Sequence, residues 1–380
     1  MKIAVPKERA PGERRVALVP EIVAKFVKEG HTLAIERGAG TSAGYPDAAY
    51  EAAGATLASD DHAAYADAAL VVRVAKPGDA ELDGIPRGAA LLGFLAPLGD
   101  PRSVERYAER GLTALSMDAI PRTTKAQAMD ALSSQANIGG YKAALLAANH
   151  LPKFFPMLTT AAGTVPPAKV LIIGAGVAGL QAIATCRRLG AVVTAYDTRP
   201  VVAEQVKSLG AKFLEIDVGE SGEGQGGYAK ELSAEALAKQ RAGMVKAIGG
   251  SDVVITTAAV PGKRAPILVT AEAVAAMAPG SVIIDLAAET GGNAEGTQPG
   301  EIVVTGNGVT IVGSLNLPST LAYDASRLYA RNVQAFLDYV IKDGRLVLDP
   351  SDEIVAGTMI VHDGEIMHAP TLAARTGGNA

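Results

Sequence analysis

The 380-residue chain has no tryptophan, a single cysteine and only 4% aromatic residues. Because Cys186 has no second cysteine to pair with, an internal disulfide is excluded and a reducing cytoplasm is expected. The five histidines are scattered without the spacing of a metal motif, so no metal site is predicted. The net charge of −5 and the absence of any block of Lys or Arg give no electrostatic basis for binding nucleic acid.

Long apolar segments are also absent. The mean hydropathy is +0.20, yet the longest apolar candidate, Val170–Cys186, is interrupted by three glycines and Gln181. A membrane-spanning helix needs about 20 mostly apolar residues. The N-terminal residues MKIAVPKERAPGERR lack the apolar centre of a signal peptide, and no G-x-S-x-G or P-loop motif supports a hydrolase or a kinase. We therefore expect a cytoplasmic chain without direct membrane insertion.

The segment Lys169–Arg199 is the most informative one present, because it predicts a strand, a glycine turn, a helix and a second strand. Its G-x-G-x-x-G uses Gly174 for the tight turn, Gly176 for close approach of a pyrophosphate and Gly179 for helix–strand packing. Asp197 follows about 20 residues later, where a carboxylate accepts ribose hydroxyls and repels a 2′-phosphate, which favours NAD(H) over NADP(H). The alternative is a buried βαβ unit whose glycines serve packing alone.

Short apolar runs alternate with helical patterns along the whole chain. This alternation predicts an α/β fold of two Rossmann-like, doubly wound parallel-sheet domains around a cleft, of which only the second has a dinucleotide fingerprint. We assign an N-terminal catalytic-cleft domain to 1–132 plus 318–380, because a long amphipathic helix near Asp324–Lys342 returns to it, and an NAD(H)-binding domain of about six strands to 133–317. Hairpin-like turns follow, and the ending TLAARTGGNA is expected to be a disordered tail or the stub of a linker.

Two polar segments are further candidates for function. Asp217–Lys230 holds five glycines, and it is interpreted either as an ordinary flexible loop or as a mobile lid, anchored by Tyr228, over a nicotinamide. Pro121–Gln135 concentrates polar side chains just before a long helix. Asp130 and the serines after it either cap that helix or face the cleft where a nicotinamide projects, with Arg122 on the carboxamide.

Several stretches of the sequence together resemble the alanine dehydrogenase/transhydrogenase superfamily. They are KIAVPKE…GERRVALVP, residues 121–135, AAGTVPPAKVLIIGAGVAGLQAIATCRRLGA, GGYAKE and GSVIIDLAAETGG. Within that superfamily, RTTKAQAMDALSSQANIGGY and GGYAKE resemble the NAD(H)-binding component, domain I of the alpha subunit, of proton-translocating NAD(P)⁺ transhydrogenase. The resemblance extends over essentially the whole chain.

The two branches of the superfamily differ in chemistry. An amino-acid dehydrogenase needs an acid or base and a cation for the substrate carboxylate, and the resemblance implies that Ala75 and Ala96 replace the lysine and histidine that alanine dehydrogenases use. Arg15 matches their substrate-binding arginine, and Lys76 lies one residue from the lysine position. Hydride exchange between two nicotinamides needs no protein acid or base. The transhydrogenase branch is therefore favoured, and a soluble NAD-dependent alanine or amino-acid dehydrogenase-like enzyme and an NAD-sensing module stay as alternatives.

The resemblance implies a homodimer that binds NAD(H) on this chain and docks on a membrane-spanning subunit and on a subunit that binds NADP(H). It implies direct, Si/Re-specific hydride transfer from NADH to NADP⁺, coupled to proton translocation. The chain would be active only together with those partners, and it would be peripheral to the inner membrane. The residues implied near the nicotinamide are Arg122, Gln127, Asp130 and Ser133. Those implied around the rest of the dinucleotide are Gly174, Gly176, Val177, Ala178, Gly179, Asp197, Arg199, Gly227 and Tyr228.

Overall fold

The computed structural model describes residues 1–216, 233–260 and 262–376. The chain divides into two compact units, which are Met1–Gln135 with Pro318–Ala380 and Ala136–Leu317. The first unit is thus built from both ends of the chain, whereas the second is continuous.

Strands and helices alternate along most of the described chain. The first segment comprises β1 (Lys2–Val5), α1 (Pro20–Lys28), β2 (Thr32–Glu36), α2 (Asp47–Ala52), β3 (Thr56–Ala58), α3 (Asp61–Tyr65), β4 (Leu70–Ala75), α4 (Asp79–Gly84), β5 (Ala90–Phe94), α5 (Pro101–Glu109) and β6 (Thr113–Ser116). The middle segment comprises α6 (Ala131–His150), β7 (Leu158–Thr160), β8 (Gly163–Val165), β9 (Lys169–Ile173), α7 (Val177–Arg188), β10 (Val192–Tyr196), α8 (Ala203–Ser208), β11 (Lys212–Phe213), α9 (Ala234–Gly249), β12 (Val253–Thr256), α10 (Ala271–Ala275), β13 (Val282–Asp285), β14 (Ile302–Val304) and β15 (Thr310–Gly313). The last segment comprises α11 (Ala322–Val340), β16 (Ile341–Lys342), β17 (Arg345–Leu346), α12 (Glu353–Thr358), β18 (Met359–His362), β19 (Glu365–Ile366) and α13 (Ala369–Thr376).

The sheet of the first unit has the strand order β19-β18-β6-β5-β4-β1-β2-β3. From β3 to β6 all pairs are parallel, whereas β18 runs antiparallel to β6 and β19 antiparallel to β18. The chain order reverses between β1 and β4, which is the switch point of a doubly wound sheet. The predicted α/β class with Rossmann-like parallel sheets is confirmed, with antiparallel strands added at one edge.

The second unit has a sheet with the order β11-β10-β9-β12-β13-β15-β14 among its described strands. All pairs are parallel except β14 with β15. Ile173, the last residue of β9, is level with Tyr196 of β10 and with Thr256 of β12. Because parallel strands end at the same edge, the residues that follow these three strands lie side by side. This edge is the one at which open α/β sheets bind ligands.

Alternate residues of the central strands supply cores on both faces of the second sheet. In β12, Val253 and Ile255 pack on the face that also receives Ile183 of α7. Val254 points to the opposite face, where Ile248 of α9 packs. Strands buried on both faces are apolar without alternation, which explains the apolar runs of the sequence. Each such fully buried aliphatic side chain contributes about 1.5–3 kcal/mol to folding.

Three features of the structure differ from the sequence expectations. Strand β14 was not expected, and its addition makes seven strands where about six were predicted. Residues 158–165 lie in the Pro-rich segment that ends at Pro166-Pro167, whose composition predicts a turn or linker, and they form the antiparallel hairpin β7–β8. The expectation of a disordered tail is wrong for residues 371–376, which belong to α13, because Thr371 is fully buried and donates a hydrogen bond to the carbonyl oxygen of Pro97. The expected hairpins near the C-terminus are present as β16–β17 and β18–β19.

Candidate dinucleotide site

The glycine turn between β9 and α7 has two glycines fixed by packing and one that faces open space. Gly174 has a φ of +94°, and a Cβ there would lie 2.6 Å from Oγ1 of Thr257. A Cβ on Gly179 would lie 1.9 Å from the carbonyl oxygen of Gly174. Gly176 has an ordinary φ of −76°, and a Cβ there would meet no atom of the described residues within 4 Å. The absent side chain at Gly176 therefore leaves room for a ligand rather than for the protein.

The amino end of α7 is suited to an anion. Gly176 is the N-cap residue, and no side chain of the described residues caps the helix there. The first backbone N–H groups of a helix have no intrahelical partner, and the helix dipole adds positive potential at the same end. Val177 and Ala178 begin the helix at this position, and Val177 is 41% exposed. The turn and the helix end thus fit the pyrophosphate of a dinucleotide.

Asp197 follows β10 directly and forms a tight pair with Arg199. Its Oδ1 accepts hydrogen bonds from the backbone N–H and Nε of Arg199, both at 2.9 Å, and its Oδ2 accepts from Nη2 of Arg199 and the N–H of Ala175, both at 2.8 Å. Burial alone raises the pKa of Asp197, but the hydrogen bonds and charge of Arg199 outweigh it and lower that pKa. The carboxylate is therefore ionised, fixed to the glycine turn and already balanced by a guanidinium.

Helix α6 packs closely against the beginning of α7. A Cβ on Gly140 of α6 would lie 2.0 Å from the carbonyl oxygen of Ala178. The neighbouring turns are joined by a hydrogen bond from Nδ2 of Asn137 to Oε1 of Gln181 at 3.3 Å. Gly140 thus allows α6 to support the first turn of α7. The adjacent glycines in ANIGGYK were the available signal, since two glycines inside a helix indicate close packing.

The residues implied near the nicotinamide all belong to the first unit. Arg122 and Gln127 are exposed, and Gln127 begins a short 3₁₀ helix, Gln127–Met129. Asp130 precedes α6, and its carboxylate accepts hydrogen bonds from the N–H of Ser133 at 2.9 Å and from its hydroxyl at 2.6 Å. This contact is a helix cap, so the capping interpretation of Asp130 describes its geometry. Two of the implied residues, Asp130 and Ser133, are thereby brought into contact.

The remaining implied residues, Gly227 and Tyr228, lie outside the described residues, as does the whole segment interpreted as a loop or lid. Cys186 is buried, and burial raises the pKa of its thiol to about 12, which keeps it protonated and unreactive. In the described parts of the chain, no group of three His, Cys, Asp or Glu side chains is arranged to hold a metal ion. No described helix is both long and apolar enough to cross a membrane.

Comparison with known proteins assigns the chain to a family. Residues 4–139 match the family described as alanine dehydrogenase/PNT, N-terminal domain, and residues 143–369 match alanine dehydrogenase/PNT, C-terminal domain. The chain belongs to the alanine dehydrogenase/PNT family. The resemblance inferred from the sequence is thereby confirmed.

Its relatives include both branches of this family. A Rhodospirillum rubrum protein named as the first part of NAD(P) transhydrogenase subunit alpha is 49% identical over 377 residues, with 97% of this chain and 98% of the relative covered. A solved transhydrogenase structure from Sinorhizobium meliloti is 43% identical with a TM-score of 0.88, and the match covers 96% of this chain and 100% of that chain. Alanine dehydrogenase of Mycobacterium tuberculosis is 31% identical over 302 residues, with 79% of this chain and 76% of the relative covered. Identity is thus higher to the transhydrogenases.

Arg15, which the resemblance matches to the substrate-binding arginine of alanine dehydrogenases, is buried, and its charge is balanced by a carboxylate. The guanidinium of Arg15 donates to Glu13 through Nε at 2.8 Å and through Nη2 at 2.6 Å. Its Nη1 donates to Oε1 of Gln135 at 2.8 Å. Arg15 is 7% exposed. Each of its three nitrogens is therefore engaged within the first unit, and its charge is balanced by a carboxylate.

The two positions that the resemblance matches to the lysine and histidine of alanine dehydrogenases, 75 and 96, both hold alanine. Ala75 ends β4, and Ala96 has a left-handed backbone, with φ of +50°, whose N–H donates to Oδ2 of Asp118 at 2.9 Å. Lys76 forms an ion pair with Asp100, and its hydrogen bond lowers the pKa of that carboxyl. Lys76 is thereby directed to the carboxylate at the start of α5.

Proposed function

We propose that this chain is the NAD(H)-binding component of a proton-translocating NAD(P)⁺ transhydrogenase, in which NADH gives a hydride directly to NADP⁺ on a partner subunit. The observation on which the proposal rests is the glycine turn, where the open space at Gly176 meets the uncapped amino end of α7. The 49% identity to a protein named as a portion of NAD(P) transhydrogenase subunit alpha supports the same branch.

Hydride transfer from NADH to NADP⁺ needs no acid or base from the protein. A hydride leaves C4 of NADH with both electrons of its bond and joins C4 of NADP⁺, so the products are NAD⁺ and NADPH and no proton is transferred. The protein has to bind the two nicotinamides, align their C4 atoms and exclude water. The alanines at positions 75 and 96 are compatible with this reaction, whereas oxidative deamination requires a proton acceptor.

We assign the pyrophosphate to the turn Gly174–Gly179 and to the N–H groups of Val177 and Ala178. Arg122, Gln127, Asp130 and Ser133 form the segment that we assign to the nicotinamide end. This assignment follows from the resemblance, and the contact of Asp130 with Ser133, which caps α6, is compatible with it. Gly227 and Tyr228, which lie outside the described residues, are assigned to the dinucleotide on the resemblance alone.

We propose that Asp197 and Arg199 contact the adenosine ribose and make the site selective for NAD(H). A ribose hydroxyl that donates to Asp197 has to compete with Arg199, because both carboxylate oxygens already accept hydrogen bonds from that guanidinium. The adenosine ribose is therefore expected to bind with a rearrangement of this pair, and the isolated chain is expected to bind NADH at micromolar or weaker affinity.

We propose a homodimer that joins an NADP(H)-binding subunit and a membrane-spanning subunit, at the cytoplasmic side of the inner membrane. The hairpin β7–β8 supports a protein–protein contact in the second unit, since all of its residues are exposed. Phe154 and Met157, which precede it, are 55% and 64% exposed. Aromatic residues and methionine are enriched at protein interfaces relative to the rest of the surface. Proton translocation is assigned to the membrane-spanning partner.

An alanine dehydrogenase-like activity is the second candidate, because an alanine dehydrogenase is 31% identical to this chain. One pair of assays separates the two. In the first assay, the chain is incubated with NAD⁺ and L-alanine. In the second assay, a fresh sample of the chain is incubated with NADH and a separately purified NADP(H)-binding transhydrogenase domain loaded with NADP⁺. We expect no reduction of NAD⁺ in the first assay and formation of NADPH in the second. Robust alanine oxidation would overturn the proposal, and NADH binding without either reaction would favour a sensing module.

A further inference from the structure

A buried asparagine, Asn293, holds the backbone that follows β12. Its Oδ1 accepts from the N–H of Ala258 at 3.1 Å, and its Nδ2 donates to the carbonyl oxygens of Ala258 at 2.8 Å and Pro266 at 2.9 Å. The side chain has no exposed surface, so it acts on this backbone and not on a ligand. An amide that pairs with the N–H and the C=O of one residue fixes the orientation of the two peptide units on either side of that residue.

Asp285, the last residue of β13, holds Asn293 in turn. Its Oδ2 accepts from the N–H groups of Asn293 at 2.7 Å and Ala294 at 3.0 Å and from Oγ1 of Thr297 at 2.8 Å. Its Oδ1 accepts from Oγ1 of Thr256, the last residue of β12, at 2.9 Å. Asp285 is fully buried, and a buried carboxylate of this kind is tolerated only when its oxygens are hydrogen-bonded. The ends of β12 and β13 are therefore tied together by Asp285.

The same backbone is in contact with the glycine turn. The N–H of Thr257 donates to the carbonyl oxygen of Ile173 at 2.9 Å, and its Oγ1 donates to that of Gly174 at 3.0 Å. Ala258, which Asn293 holds, is the next residue. A displacement of Ala258 would move Thr257 and, through its hydroxyl, the turn. Asn293 is thus connected to the glycine turn through two neighbouring residues.

The position of this network along the sheet indicates which half of a dinucleotide it affects. The strand order is β10-β9-β12-β13, and the adenosine end is assigned to Asp197 beyond β10. A dinucleotide that crosses the switch point beside β9 therefore extends its nicotinamide half over the ends of β12 and β13. We propose that Asn293, held by Asp285, is a positioning residue that sets the nicotinamide-side wall of the site. This inference rests on the proposed NADH binding by the second unit.

The test compares Asn293→Ala with a matched control, Asn307→Ala. Asn307 is in the same unit, and its Nδ2 likewise donates to two backbone carbonyls, of Val274 at 3.0 Å and Met277 at 3.3 Å. It lies in the turn before β15, at the amino ends of the parallel strands, whereas the candidate site lies at their carboxyl ends. Both variants lose similar hydrogen bonds, so a general loss of stability affects both. Only Asn293→Ala alters the proposed wall.

Each full-length variant is titrated with NADH and with 5′-AMP, which has only the adenosine half. For Asn293→Ala we expect the Kd for NADH to rise about tenfold and the Kd for 5′-AMP to change less than about twofold. For Asn307→Ala we expect both values to stay within about twofold of the wild type. The fluorescence of bound NADH reports the surroundings of the nicotinamide directly, and we expect it to change only in Asn293→Ala.

An equal rise in both constants for Asn293→Ala, or no rise in either, would overturn the inference. If Asn293→Ala does not fold, Thr257→Val decides the question, because it removes only the hydroxyl contact to the turn while keeping a similar shape. A raised ratio of the two constants in Thr257→Val supports the network, and an unchanged ratio rejects it. A wild-type chain that does not bind NADH would instead refute the proposed function.

Discussion

Replacing Gly176 by alanine separates the folding role of the glycine turn from its binding role. The φ of −76° is allowed for alanine, and the added methyl group would meet no described atom within 4 Å. Alanine is a poorer N-cap residue than glycine, so we expect a loss of unfolding free energy of about 1 kcal/mol or less. The same methyl group occupies the space through which a pyrophosphate approaches the N–H groups of α7.

The other two glycines of the motif serve as matched controls, because their absent side chains face the protein. Gly174→Ala forces a left-handed backbone, which costs about 1–3 kcal/mol, and also places its Cβ 2.6 Å from Thr257. Gly179→Ala places its Cβ 1.9 Å from the carbonyl oxygen of Gly174, and overpacking of this kind costs about 1–3 kcal/mol or more. These two variants should therefore unfold more easily than Gly176→Ala.

Thermal unfolding with and without NADH measures both effects at once. A ligand at 100 times its Kd stabilises the folded state by about 2.7 kcal/mol. Loss of one charge-assisted hydrogen bond to phosphate weakens binding about tenfold or more, so at the same NADH concentration Gly176→Ala should gain only about 1.4 kcal/mol or less. Calorimetric titration gives the Kd independently. A folded Gly176→Ala protein that binds NADH like the wild type would refute the assignment of the pyrophosphate to this turn.

Four further substitutions test other regions of the site. Asp197→Asn removes the charge that balances Arg199. The ratio of the Kd for NADPH to the Kd for NADH, measured by competition titration, should therefore fall at least about tenfold. An unchanged ratio would remove the role given to this carboxylate. Gln127→Asn and Asp130→Asn should each slow hydride exchange in the reconstituted complex. Asparagine is as good an N-cap residue as aspartate, so Asp130→Asn should change the free energy of unfolding by less than about 0.5 kcal/mol. Unchanged turnover in both variants would leave helix capping as the only role of this segment. Gly140→Ala places a Cβ 2.0 Å from the carbonyl oxygen of Ala178, so we expect a lower Tm and weaker NADH binding. A wild-type Tm would show that α6 and α7 can move apart without loss of stability.

The regions of the fold that local sequence determines were predictable. The apolar run before Gly174 and the glycine spacing predicted β9 and α7, because a strand buried on both faces and a tight turn have distinct compositions. Strand β14 was missed because it is three residues long, and two of them, Ile302 and Val304, are exposed. The helical ending was missed because its order depends on a distant contact, from Thr371 to Pro97.

The candidate site shows the same division. The residues that contact the proposed ligand form a local motif, so Gly176 and Asp197 could be identified from spacing alone. The pairing of Asp197 with Arg199 could not, because neighbouring charges do not indicate how their side chains are oriented. Asn293 gave no signal of its own, since its partners lie 27 and 35 residues away in the sequence and are backbone groups. Supporting residues of this kind become visible only when the strand ends are placed side by side.

The most direct test of the central claim follows a label from one nicotinamide to the other. NADH that carries deuterium at both hydrogen positions of C4 is bound to the chain, and a separately purified NADP(H)-binding transhydrogenase domain loaded with NADP⁺ is added. If the chain presents NADH to a second nicotinamide, the deuterium appears at C4 of NADPH and none is lost to water, because the hydride passes directly between the rings. NADPH without the label, or no NADPH at all, would contradict the account.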